Sequence, residues 1–140
     1  MSFMEVLLPV FVQVILTLVV AFVLAFKRVS ALRTGEMRGK KIALREPNWP
    51  DHTRQYECNY MNQFELPVLF YVLMILLLIT RKADFILMTL AWIFVVLRIA
   101  HAYVHVTSNN VNLRGPLFGM GLFVLAIMWG LFIVDMIRVY

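Results

Sequence analysis

Residues 62–79 read NQFELPVLFYVLMILLLI, and the fold turns on how this stretch is understood. From Leu66 to Ile79 it is an apolar run, but its head carries Asn62, Gln63 and Glu65, with a proline at 67. A second run, Phe85 to Leu97, has the opposite polarity, because Arg98, His101 and His105 follow directly on it. Each run alone is short for a bilayer. With its polar flank included, each reaches the ~20 residues that cross a hydrocarbon core ~30 Å thick at 1.5 Å per residue. An ionisable group at membrane depth costs about 2.5–3.5 kcal/mol unless it pairs or lines a cavity. The polar ends of these two runs are therefore the candidate functional site.

Working outward, Val6 to Phe26 and Gly115 to Val134 are two further uncharged spans. The chain is 62% hydrophobic and 15% charged, with a mean hydropathy of +0.83. A soluble domain is nearer half apolar and a quarter charged. The expectation is an all-α membrane protein, a four-transmembrane-helix up-down bundle occupying residues 1–140 as one domain, with helices over about 5–33, 52–80, 83–106 and 115–138. Glu5 stands where a signal peptide would be basic, and Lys27 and Arg28 form a stop-transfer pair, so the first span is read as retained. Gly35 is placed to stop the first helix, and Pro67 is expected to kink the second. Gly115-Pro116 should open the fourth, after the asparagine-rich loop Thr107 to Leu113. Cys58 is the single cysteine, which excludes an internal disulfide.

The net charge is +5, and eight Lys/Arg fall between Lys27 and Arg54, against two around Arg81 and Lys82. The positive-inside rule puts the basic loop, Glu36 to Asp51 with its flanks, in the cytosol and both termini on the far side. Topology accounts for the charge, so no nucleic acid is invoked. The polar start of helix 2 and the polar end of helix 3 then share one leaflet. Glu65 and Arg98 come to similar depths, where they can pair. Asn62 and Glu65, three apart, should share a face, with Cys58 and Asn59 a turn below. Arg98, His101 and His105 form one stripe at i, i+3 and i+7. Arg114 sits at the mouth, beside the N-termini of helices 2 and 4, which attract anions. The bland reading of the same residues is interhelical glue, for which Asn and ion pairs are ordinary in membranes. Two histidines without a carboxylate or third ligand do not make a metal site, and none is expected.

Asn62-Gln63-Phe64-Glu65-Leu66-Pro67 and Arg98-Ile99-Ala100-His101, followed by Arg114 across an asparagine-rich loop, resemble the MAPEG family, the membrane-associated proteins of eicosanoid and glutathione metabolism, in a bacterial-type form suited to an inner membrane. The resemblance covers essentially the whole chain. It implies a homotrimer with glutathione bound as co-substrate between neighbouring subunits, and a lipophilic substrate entering from the lipid bilayer. By position, Asn62, Glu65, Arg98 and His101 would contact the tripeptide's charged ends, His105 would take the place of a frequent tyrosine, and Arg114 would lie near the sulfur as the catalytic group. The chain departs from the pattern at Cys58 and Met61, where glutathione-using members usually carry arginines, and at Gly115 and Phe118, often Ser and Tyr.

Two functions compete within that family: a glutathione transferase or peroxidase acting through an arginine-stabilised thiolate, and a non-catalytic protein binding another small anion or lipid. A small multidrug exporter fits poorly, because its working carboxylate lies in the first helix, where this chain has only Gln13 and Thr17 at depth.

Overall fold

The computed structural model describes residues 2–40, 42–43 and 48–139. The expected cytosolic loop is thus seen in part, and Lys41 and Leu44 to Pro47 lie outside the described residues. Five helices follow one another: α1 (Phe3–Arg33), α2 (Asp51–Asn62), α3 (Leu66–Thr80), α4 (Phe85–Val106) and α5 (Val111–Val139). With α2 and α3 taken as one run, four helices are long and apolar enough to cross a membrane, and the chain is an integral multi-pass membrane protein.

Local chemistry explains the ends. Ser2 and Glu5 form a reciprocal capping box at the start of α1, and its final turn reaches Thr34 before Gly35 adopts a positive φ of 81°. Arg81 ends α3 in the left-handed region, with Arg81 N–H on the Leu78 carbonyl and Lys82 N–H on that of Leu77. That bond pair is a Schellman arrangement. Asp84 caps α4 by accepting from the Leu87 amide at 2.8 Å.

Two boundaries differ from the sequence reading. Helix 2 does not merely kink but breaks into α2 and α3, with Gln63 to Glu65 outside both. Pro67 stands in the first turn of α3, where its missing N–H costs nothing, and the Gln63 carbonyl loses the donor that a continuous helix would supply. The last helix starts at Val111, not Gly115. Asn110 caps it by accepting from the Asn112 amide at 3.0 Å, so Pro116 falls inside α5.

The core is a seam of Phe70, Leu73, Met74 and Leu77 from α3 against Ala91, Phe94 and Val95 from α4 and Leu125 and Met128 from α5. Phe70 and Phe94 stack with centroids 4.7 Å apart. The α3 set recurs at three- and four-residue steps, the stripe a helix needs to bury one face. The opposite faces expose Phe22, Phe26, Ile79 and Phe85, as suits a surface that meets lipid. The apolar seam fills the lower bundle and leaves the polar residues to gather at the end bearing the basic loop.

Candidate functional site

Three asparagine and glutamine side chains hold the helix break in place. Gln13 of α1 donates through Nε2 to Gln63 Oε1 at 3.1 Å. Gln63 donates in turn to Asn59 Oδ1 at 3.2 Å, and Asn59 Nδ2 reaches the Ala102 carbonyl of α4 at 3.5 Å. All three side chains are fully buried. The chain of amides thus ties α1, the break and α4 together, as polar contacts do between membrane helices.

The break also frees the Asn62 carbonyl, and Arg98 of α4 takes it, donating from Nη2 at 3.0 Å. Arg98 is 1% exposed and lies 5.8 Å from the Phe118 ring centroid of α5. One helical turn on, His101 is equally buried and its ring faces both His105 and Phe118. The expected stripe of Arg98, His101 and His105 therefore does point inward. Arg98 Nε and Nη1 and His101 Nδ1 have no hydrogen-bond partner among the described residues.

The expected Glu65–Arg98 ion pair does not form. Among the described residues the ion pairs are Arg28–Glu57 and Lys82–Asp135. The Glu65 side chain is exposed on the outer flank, beside exposed Phe64, Val68 and Leu69. Asn62 and Glu65 share a face only in an unbroken helix, and the three residues lost from the helix between Asn62 and Leu66 change the phase.

Above the sealed layer lies a cleft of about 540 Å³, walled by Asp51, Arg54, Gln55, Cys58 and Asn62 of α2, with His105, Asn109 and Arg114 opposite. Asn62 Nδ2 and His105 Nδ1 make hydrogen-bond contact across it at 3.4 Å. Arg114, in the second turn of α5, donates to Asn109 Oδ1. Asn109 has a φ of 48°, and its own amide bonds to the Val104 carbonyl at 2.8 Å, which fixes the turn carrying that acceptor. The acceptor is a neutral amide, and Arg114 enters no ion pair among the described residues. Asp51, the first residue of α2, and Arg114, the fourth residue of α5, both line the cleft, so it lies close to the N-terminal ends of two helices.

Of the six residues singled out from sequence, Asn62, His105 and Arg114 thus share this cleft, Arg98 and His101 lie in the buried layer, and Glu65 stands outside. Asp51, Gln55 and Asn109 were not among them. A signal was present for two: Asp51, Gln55, Cys58 and Asn62 recur at steps of four, three and four, a polar stripe on α2. No group of three His, Cys, Asp or Glu among the described residues is arranged to hold a metal ion.

A model of the MAPEG family matches residues 6–134. No curated protein and no solved structure matches the chain.

Proposed function

Because the chain belongs to the MAPEG family, we propose that it is a membrane-bound glutathione-dependent transferase or peroxidase acting on lipophilic substrates, with the cleft between α2, α4 and α5 as one subunit's share of a glutathione site that a neighbouring subunit completes. The observation that carries this reading is Arg114, a guanidinium whose hydrogen-bond partner among the described residues is a neutral amide, at the rim of a cleft whose volume falls in the range of roughly 300–1,000 Å³ usual for small-molecule sites. A thiol beside such a cation ionises below its ordinary ~8.5 and becomes the nucleophile.

In conjugation, the glutathione sulfur forms a bond to an electrophilic carbon and the leaving group departs with the electron pair. In peroxide reduction, the sulfur takes the distal oxygen and the alkoxide is protonated; a second glutathione then reduces the sulfenic acid, giving disulfide and water. Arg114 holds the thiolate in both, and Asn62 and His105 bind polar parts of the tripeptide. Arg98 supports the site from beneath by holding the Asn62 carbonyl.

The basic loop is assigned to the cytosol by the positive-inside rule, which opens the cleft to cytosolic glutathione. A homotrimer completes the picture. Glu65 lies fifteen residues before the end of α3, about 22 Å along the helix, and stands exposed among apolar side chains. Lipid there would cost about 2.5–3.5 kcal/mol, a cost that a neighbouring subunit covering that flank removes.

The test is purified protein in detergent, wild type and Arg114→Ala, with glutathione and either a chloronitrobenzene or an organic hydroperoxide. Turnover should fall about tenfold or more in the variant, as for removal of one preorganised charge. Native mass spectrometry should count three chains in both. Unchanged turnover refutes the assigned role of Arg114. No calorimetric heat from millimolar glutathione on the wild type points instead to a non-catalytic binder of another anion, a reading that Cys58 and Met61 at the usual arginine positions favour.

A further inference from the structure

Lys27 and Arg28 close the first span, and topology accounts for their charge. It does not account for their partners, which all belong to the start of α2. Arg28 Nη2 donates to Glu57 Oε1 at 2.7 Å, and its guanidinium carbon lies 5.3 Å from the ring centroid of Trp49, just ahead of the helix. Lys27 Nζ lies 4.9 Å from the ring centroid of Tyr56. Two adjacent cations of α1 thus grip both the chain entering α2 and the second turn of that helix.

The helix needs such a hold. Pro50 stands at its N-cap without a side-chain hydrogen bond, so no cap fixes the first amides. At its other end Gln63 to Glu65 separate it from α3, and the network of Gln13, Gln63 and Asn59 secures that end alone. Beside the ion pair lies a cavity of about 270 Å³, lined by Leu24, Arg28, Trp49, Glu57, Tyr60 and Met61 among others, so packing on this side is incomplete. At ~100° per residue, Tyr56, Glu57 and Tyr60 form one face of α2. Asp51, Gln55, Cys58 and Asn62, which line the cleft, form the face nearly opposite. The grip from α1 therefore bears on the back of the cleft wall.

We propose that Arg28 and Glu57 are positioning residues, a latch that sets where the α2 wall stands and so tunes affinity for the ligand without touching it. The role in binding rests on the glutathione reading above; the latch itself does not. Glu57 acts through the helix it sits on, and Arg28 carries the restraint from α1, with Trp49 against the same guanidinium.

Hydrogen exchange read by mass spectrometry, on the purified full chain in detergent without ligand, tests the latch. Glu57→Gln keeps the size of the side chain and removes its charge. The amides of 51–62 should then exchange about fivefold faster, the upper end for one ion pair that water still reaches, while those of 66–80 keep their rate. Exchanging the two charges, Arg28→Glu with Glu57→Arg, should return the wild-type rate. In turnover with glutathione and a chloronitrobenzene, Glu57→Gln should raise KM for glutathione about fivefold and leave kcat within a factor of about two, because Arg114 stands on α5. The exchanged pair should recover that KM. Unchanged exchange in 51–62, or an equal rise through every helix, overturns the latch. Faster exchange there with KM unmoved overturns the part of Arg28 and Glu57 in the site. If wild type neither turns over nor binds glutathione, the glutathione reading fails, and the exchange rates still decide the latch by themselves.

Discussion

Replacing Gln63 by leucine tests how the helix break is held, and through it how Asn62 is aimed. Leucine fills a similar volume but removes three hydrogen bonds: one accepted from Gln13 at 3.1 Å, and two donated to Asn59, at 3.2 Å to Oδ1 and 3.4 Å to the carbonyl. Side-chain hydrogen bonds between membrane helices average about 0.6 kcal/mol and reach about 1.7. Gln63→Leu should therefore cost about 2 kcal/mol. Gln13→Leu removes one bond and should cost about 1 kcal/mol. The Gln13 Oε1 atom has no partner among the described residues to begin with, so in the Gln63 variant its whole amide is stranded. The double variant loses the shared bond only once and strands no Gln13 amide. Its loss should fall short of the sum of the two singles by about 1 kcal/mol. Equilibrium unfolding in mixed micelles, followed by circular dichroism, reads all three. Losses that add to within about 0.3–0.5 kcal/mol, the tolerance for independent sites, would refute the network.

Two further perturbations separate backbone from site. Pro67→Ala should lower stability by only about 0.4–1 kcal/mol, the entropy proline removes from the unfolded chain, because its place in the first turn of α3 already forgoes an N–H bond. A loss beyond about 2 kcal/mol in a thermal melt would mean that the proline does more than permit the break. Asn109→Gly relieves a positive φ and deletes the acceptor of Arg114, so the melting temperature should not fall while kcat/KM for conjugation drops about tenfold. Unaltered kcat/KM would show that Arg114 needs no such positioning.

The four spans, their order and the end at which polar groups collect were legible from residues alone. Lipid penalises every exposed polar atom, so hydropathy marks the spans directly. The inward stripe of Arg98, His101 and His105 was legible too, because α4 is one unbroken helix and its period holds across the three residues. Where periodicity was carried across the break at Gln63 to Glu65 it failed: Asn62 and Glu65 were assigned one face, and the structure puts them on two. The start of α5 was misjudged for a related reason. Gly115-Pro116 resembles a helix opening, while the effective cap, Asn110, is one of three asparagines within four residues, Asn109, Asn110 and Asn112, whose roles only the folded turn distinguishes.

Membership of a helical membrane class and of its family followed from composition, spacing and short motifs, because those depend on local period and on the cost of polarity in lipid. The cleft itself was settled only in three dimensions. A proline states that one backbone bond is missing, but not how far the helix then turns. That angle follows from Gln13, Asn59 and Arg98, which bind the loosened residues from α1, α2 and α4 across sequence separations of up to fifty residues. Which polar residues line the cleft, and which are sealed beneath it, depends on that rotation.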